Sequence, residues 1–379
     1  MNRRPRRKLT YAHAGNSSVA FKALLEGMGN EVVEPVRPNS RTLSIGVSLA
    51  PEFACLPLKI TLGSYVDAIR RGADTVVATG GVGPCRAGYY TTLQREILAN
   101  AGLEAEVITF EPLSRGIGRF VRNIGMLNAD RLSPLALLSL VRHCWERIKA
   151  FDRLERMLHF VRPREARNGD AEREYLDAVR RVGEAGSVRR VREAASEGLA
   201  ALQAVERDPG VEPVKVGIVG EIYVLIEPAA NLDIEKTLGE LGAEVQRSIF
   251  LTGWTMDNAV HEGGGLDVKR AAAPYLPEMV GGHGQDSIGH TVIYARERLD
   301  GVVQLAPFTC IPEIVAKSIL PRVSEDLDMP VISFFLDEQT GEAGVRTRLE
   351  AFVDLLKRKR DALGRRGADA PVRVYRGVA

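Results

Sequence analysis

Three of the four cysteines in this chain lie in similar local contexts, and that context suits a soft metal. Cys55, Cys85 and Cys310 each lie in a turn marked by proline and precede a predicted helix, and Cys85 and Cys310 also follow a predicted strand. Cysteine thiolates hold iron–sulfur clusters in proteins. Three thiolates are one fewer than the usual four, so one iron would remain for another ligand. That difference separates a catalytic or bridging cluster from a simple electron store.

Other roles for these cysteines remain open at this point. They form no C-x-x-C pair, so each ligand would have to come from a separate loop. They could be ordinary buried thiols, or His283 or His290 could complete a Cys₃His zinc site. The predicted helix N-termini should lower the thiol pKa values. The fourth cysteine, Cys144, continues an apolar helical stripe and is predicted to pack in a core.

A few neighbouring residues are weaker candidates. The glycine-rich turn at Gly281–Ser287 could hold an anion on backbone amides, or it could simply be a tight turn, and His283 could act as an acid or base. Lys59 and Arg86 could balance the charge of a cluster or could be plain surface charge. The three-glycine dinucleotide pattern and the Walker sequence are both missing, so ATP hydrolysis on this chain is not expected.

Strands and helices alternate at both ends of the chain, which predicts parallel sheets covered by helices. The predicted fold is α/β: two similar Rossmann/flavodoxin-like parallel-sheet domains joined by long helices. The predicted divisions are an N-terminal α/β domain at 1–130, a helical linker at 131–212 and a C-terminal α/β domain at 213–379. Ligands of such sheets bind beyond the carboxyl ends of the strands. Cys85 and Cys310 should therefore occupy equivalent positions facing a common cleft.

Composition narrows the possible environments. The 379 residues carry a net charge of +2, which gives no reason to expect nucleic acid. The basic segment Arg3–Lys8 reads as a solvated tail, without the apolar stretch of a signal peptide. No apolar run is long enough to cross a membrane. We therefore expect a cytoplasmic protein whose cysteines are free thiols or cofactor ligands.

The cysteine contexts and several other stretches resemble the 2-hydroxyacyl-CoA dehydratase superfamily, in the branch of double-cubane cluster proteins and proteins related to the CoA-enzyme activase. The matching segments span both predicted α/β halves: Ala50–Lys59 (APEFACLPLK), Val219–Tyr223 (VGEIY), Gly282–Gln285 (GHGQ), Pro307–Glu313 (PFTCIPE), Asp337–Gly341 (DEQTG) and Thr347–Phe352 (TRLEAF). The strongest of these is the segment around Cys310.

The resemblance implies an oxygen-sensitive iron–sulfur cluster, either [4Fe–4S] or double-cubane [8Fe–9S], held by Cys55, Cys85 and Cys310. It also implies an electron donor: a separate ATP-hydrolysing activator of the actin/sugar-kinase fold. In dehydratases of this type the electron forms a ketyl radical on an acyl-CoA thioester. The chain would work as a homodimer or with a related sister subunit. We expect Glu221 and His283 to lie in the same cleft as catalytic groups beside the ligands. The alternative is a non-catalytic electron-transfer or assembly partner, or a zinc-stabilised structural subunit.

Overall fold

Two four-stranded sheets, each with all strands parallel, form the two ends of the chain in a computed structural model that describes residues 6–80, 85–110, 117–260 and 265–365. The first sheet contains β1 (Lys8–Tyr11), β2 (Glu31–Val32), β3 (Thr75–Thr79) and β4 (Glu106–Phe110) in the order β2-β1-β3-β4. The second contains β5 (Val214–Gly220), β6 (Ala243–Arg247), β7 (Gly301–Pro307) and β8 (Val331–Leu336) in the order β6-β5-β7-β8. The identical strand order confirms the predicted pair of similar parallel-sheet domains.

Helices connect the strands and cover the sheets. In chain order they are α1 (Ser17–Gly27), α2 (Ser40–Leu49), α3 (Leu56–Arg70), α4 (Tyr90–Asn100), α5 (Ile117–Leu127), α6 (Pro134–Val161), α7 (Asp170–Glu184), α8 (Val188–Ala204), α9 (Ile222–Ile226), α10 (Ile234–Glu240), α11 (Leu251–Val260), α12 (Leu266–Ala272), α13 (Gly284–Arg296), α14 (Ile311–Leu327) and α15 (Glu342–Arg365). Short 3₁₀ turns lie at Arg86–Tyr89 and Arg162–Arg164. Within the described ranges, no helix is both long and apolar enough to cross a membrane.

The strands read as apolar runs because helices bury them from both sides. Every residue of β7 is buried, and its one polar side chain, Gln304, therefore needs a partner inside the protein. The same sheet places Glu221 directly after β5 and Cys310 shortly after the adjacent β7. The strand order reverses between these two strands, which is where parallel α/β sheets bind ligands.

Helices α6, α7 and α8 pack against one another inside the segment predicted as a linker, and α6 also contacts α1 of the first half and α11 and β6 of the second. Ser133 caps α6 and Pro134 follows at its first position, as the sequence predicts. Cys144 lies in the apolar core of this helical layer, so its predicted packing role is confirmed.

Several helices were not predicted from the sequence, among them α2, which immediately precedes the first cysteine turn. Asn39 and Thr42 form a capping box that starts α2. Gly46 of α2 and Gly63 of α3 then allow these helices to touch, because a Cβ on Gly46 would lie 1.8 Å from the Lys59 carbonyl oxygen. The close crossing braces the helix that begins at Cys55.

Charged side chains join the helical layer to both halves. Arg247 at the end of β6 is buried and pairs with Glu155 of α6 at 2.5 Å and with Glu235 of α10 at 3.2 Å. Glu155 also accepts a hydrogen bond from Asn16, beside α1, at 3.0 Å. The halves meet directly at His13 and Glu227, whose side chains lie 2.5 Å apart.

Candidate functional site

Each of the three predicted ligand cysteines occupies the same local position. Cys55 is the N-cap of α3, Cys85 is the N-cap of the 3₁₀ turn at Arg86–Tyr89, and Cys310 is the N-cap of α14. All three have extended backbone angles, and no thiol makes the side-chain bond that a capping residue usually makes. Cys55 and Cys310 are buried, Cys85 is half-buried, and none is in a disulfide. The backbone amides of Ala87 and Glu313 nevertheless lower the pKa of Cys85 and Cys310, so these two thiols face the first turns that follow them, whereas the Cys55 thiol faces Tyr90.

Arg86 holds the three cysteine turns together. Its guanidinium donates to the carbonyl oxygen of Phe53 at 2.7 Å and to that of Thr309. The hydroxyl of Thr309 donates to the same Phe53 carbonyl at 2.9 Å. Residues next to Cys85 and Cys310 are thereby tied to the turn that carries Cys55. Cys85 and Cys310, at equivalent positions in the two halves, therefore belong to one site. Arg86 connects the turns of that site by its two hydrogen bonds.

Thr309 itself has a left-handed backbone conformation, with φ of 66°. A β-branched residue rarely adopts this conformation because its side chain crowds the backbone. The two hydrogen bonds that Thr309 makes to the neighbouring turns hold it there. Strain of this kind concentrates at functional sites, where the surrounding structure fixes the chain.

The thiols are close enough for their charges to interact. Burial raises the pKa of Cys55, and an ionised Cys85 adds to the increase. Burial likewise raises the pKa of Cys85 and Cys310. The prediction that the helix N-termini lower these pKa values is wrong for the metal-free chain. Burial removes the thiolates from water, and this effect on the pKa is larger than the opposing effect of the helix N-termini. A cation bound among them would favour the thiolates.

The glycine-rich turn lies against the cysteines. A Cβ built on Gly282 would lie 3.5 Å from the sulfur of Cys85 and 3.0 Å from the ring of Pro312. A Cβ on Gly284 would lie only 2.4 Å from the Pro312 carbonyl oxygen. These glycines therefore let the start of α13 approach the start of α14. This close packing of backbone explains why glycines are present here, and no bound anion is needed to explain them.

Glu221 lies near the three cysteine thiols. It caps α9 by accepting a hydrogen bond from the Val224 amide at 3.1 Å. Burial raises the pKa of Glu221 to about 7, against the lowering effect of the Tyr223 and Val224 amides. Its charge contributes to the raised pKa of all three cysteine thiols, which places the carboxyl among them. A carboxyl with such a pKa can hold or release a proton near neutral pH.

His283 precedes α13 on the turn that contacts Cys85. Its Nε2 accepts a hydrogen bond from the indole Nε1 of Trp254 at 3.0 Å. Burial lowers the pKa of His283 to about 4, with a further contribution from His290, so the ring is neutral at pH 7. His290 lies two turns along α13 beside Tyr294. Across the described ranges, no three His, Cys, Asp or Glu side chains converge on one point suited to a single metal ion.

Glu313, which is fully buried three residues after Cys310, was not predicted as a site residue. Its carboxylate accepts from the Ser287 hydroxyl at 3.0 and 3.1 Å and from the Gln304 amide at 2.9 Å. Burial raises the pKa of Glu313 to about 7, although both donors oppose the increase. The signal in the sequence was Gln304, a polar residue in an otherwise apolar strand, because such a residue requires a buried partner.

Two further side chains, those of Tyr90 and Lys59, belong to the surroundings of the cysteines. The hydroxyl of Tyr90, at the start of α4, is hydrogen-bonded to the thiol of Cys55. Lys59 is buried and pairs with Glu338 at 2.7 Å, joining α3 to the loop after β8. Lys59 therefore links the two halves instead of lying free at the surface. Neither Tyr90 nor Glu338 was predicted as part of the site.

Large apolar side chains surround the cysteine turns on the outside. They are Phe53, at 68%, Tyr89, at 63%, Phe308, Ile311 and Ile314. All lie on the three turns that Arg86 joins or on the helix that follows Cys310. We call these five residues, Phe53, Tyr89, Phe308, Ile311 and Ile314, the apolar rim. Grouped exposed apolar residues of this kind mark contact surfaces.

Comparison with known proteins does not add to this description. No protein-family model matches the chain, and no curated protein sequence matches it significantly. The function is therefore inferred from the site itself.

Replacing Arg86 with glutamine should loosen the cysteine turns. Two hydrogen bonds from a charged donor are lost, each worth about 1.5–3 kcal/mol. We expect faster amide hydrogen exchange in the segments around Phe53 and Thr309, measured by mass spectrometry on the metal-free protein. The control is Arg70→Gln, which changes an exposed arginine in the last turn of α3. Equal exchange in R86Q and the parent protein would contradict the assigned role of Arg86.

Proposed function

We propose that this chain is an iron–sulfur protein of the 2-hydroxyacyl-CoA dehydratase type. It would receive low-potential electrons from a separate ATP-dependent activator and use them for reductive or radical chemistry, either acyl-CoA dehydration or reduction of a small molecule. The observation that carries this proposal is the convergence of Cys55, Cys85 and Cys310, from both halves of the chain, on turns tied by Arg86.

The donor set fits a cluster better than a single ion. Three thiols lie at the starts of separate helices, free of disulfides. Each thiolate of a cluster binds a different iron, so the sulfurs need not meet at one point as they must around zinc. Cys55, Cys85 and Cys310 would hold the cluster, and when bound it would supply one-electron reduction and an open iron site.

The remaining groups have roles that follow from their surroundings. Glu221 would hold or deliver a proton beside the bound substrate, because its carboxyl lies near the three thiols and has a pKa of about 7. His283 would contact the ligand from the turn that touches Cys85. The apolar rim supports the proposed partners, since an activator or second subunit could dock there and shield the site from water.

The test is iron and acid-labile sulfide per chain after strictly anaerobic purification, with EPR spectra before and after dithionite reduction. We expect about four or eight irons per chain with nearly matching sulfide, according to cluster type. Zinc, or no metal after reconstitution with iron and sulfide, would contradict the proposal. The remaining interpretations would then be a structural subunit or a non-catalytic partner of an activator.

A second measurement tests whether the chain is an enzyme. With activator, ATP and reductant present, consumption of a 2-hydroxyacyl-CoA or of a small reducible molecule supports an enzyme. A cluster that is reduced under these conditions while nothing is consumed favours the electron-transfer partner.

A further inference from the structure

The hydrogen bond between Trp254 and His283 determines which imidazole nitrogen carries the proton. An indole nitrogen can only donate, so Nε2 of His283 must be the acceptor at 3.0 Å. In a neutral ring the proton then lies on Nδ1. The two rings are tilted by 49° with their centroids 6.4 Å apart, so the indole meets the edge of the imidazole. Nε2 is thereby occupied and cannot exchange protons with a ligand.

The other ring nitrogen, Nδ1, is unsatisfied within the described part of the chain. Nδ1 of His283 is buried and has no hydrogen-bond partner among the described residues. A buried donor without an acceptor costs about 1–3 kcal/mol, so such groups usually have a functional explanation. The preceding residue, Gly282, has its backbone close to Cys85 and Pro312, because a Cβ built on it would lie 3.5 Å and 3.0 Å from their side chains. An acceptor atom bound among the cysteines would satisfy the donor.

We propose that Trp254 is a positioning residue that fixes His283 in the Nδ1–H tautomer, and that this N–H donates a hydrogen bond to the electron-rich group bound at the three cysteines. The second half of this inference rests on the proposed function. The acceptor is a cluster sulfur or a carbonyl oxygen of the substrate, and either gains negative charge on reduction. His283 is then a hydrogen-bond donor instead of an acid or base.

The tautomer can be tested without any cofactor. Two-bond ¹H–¹⁵N correlation spectra of metal-free, ¹⁵N-histidine-labelled protein distinguish the two nitrogens, and His283→Gln assigns the signal among six histidines. We expect the Nδ1–H pattern in the parent protein and a mixture with Nε2–H in Trp254→Phe. Trp145→Phe, which changes the only other tryptophan, is the control and should leave the signal unchanged. An Nε2–H or doubly protonated ring in the parent, or an unchanged ring in W254F, would overturn the inference.

The acceptor is identified on the reconstituted protein. If His283 donates to a cluster sulfur, W254F and His283→Phe should both make the reduction potential more negative, because hydrogen bonds to cluster sulfurs favour the reduced form. If it donates to substrate oxygen, the potential should stay constant while KM for lactoyl-CoA rises or kcat falls several-fold. No change in any of these quantities would refute donation. Failure to bind a cluster would defeat the proposed function, and the tautomer result would still stand.

Discussion

Replacement of Cys310 with alanine is expected to remove most of the iron that the anaerobically reconstituted chain binds. The cluster would lose one of only three protein thiolates, and the alanine offers no replacement ligand. Cys310 itself is buried, so a water molecule is a poor substitute for its thiolate. Iron and sulfide per chain should fall several-fold, and the EPR signal of the reduced protein should weaken equally. Cys55→Ala and Cys85→Ala should behave in the same way.

Cys144→Ala is the matched control. Cys144 is as buried as Cys310, but it lies in the helical layer, where burial raises its pKa to about 12 and no other cysteine is near. Its replacement should leave the iron content unchanged. Loss of iron in C144A alone, with full iron in C310A, would disprove the ligand assignment.

Replacement of Arg247 with methionine should destabilise the fold by about 3–5 kcal/mol, because removing one member of a buried ion-pair network leaves the others uncompensated. Glu155 and Glu235 would remain inside the protein without their cation. The measurement is the urea midpoint of unfolding at pH 7. Arg189→Met is the control, since Arg189 pairs with Glu193 on the exposed surface of α8 and should give no measurable change.

The loss should depend on pH in a defined direction. Burial alone would raise the pKa of Glu235, but Arg247 and His159 hold it at about 2, below its ordinary value of 4.5. The folded state is therefore favoured above pH 4.5, and this contribution disappears as pH falls towards 2. The stability difference between R247M and the parent should accordingly shrink below pH 4.5. A difference that is the same at pH 3 and pH 7 would contradict this account.

The sequence allowed the sheets to be predicted because their strands are apolar runs separated by helices. The order within each sheet was not deduced, but the similar halves correctly predicted that Cys85 and Cys310 are equivalent. Short helices such as α2 and α11 were missed. The capping box at Asn39 was overlooked, and α11 follows β6 without a proline or capping signal.

The site was predicted in part. The sequence indicated its cysteines by the proline-marked turns around them, and it indicated Glu221, which lies near their thiols. Trp254, Tyr90 and Glu313 were missed because their importance comes from partners distant in sequence. Arg86 shows the same limit, since its charge was evident but its carbonyl partners include Thr309, 223 residues further along the chain. Such contacts follow from tertiary packing, which local patterns do not specify.

The separation in sequence between Arg86 and Thr309 also sets the delay between the synthesis of the first turn and that of the second. The tie between them spans 223 residues, and chains are made at about 5–20 residues per second, so the second turn follows the first by roughly 11–45 s. Throughout that interval Cys55 and Cys85 belong to a growing chain that lacks Cys310. The three thiols therefore come together only after the C-terminal half has been synthesised and docked, so the proposed cofactor would enter only late in the life of each molecule.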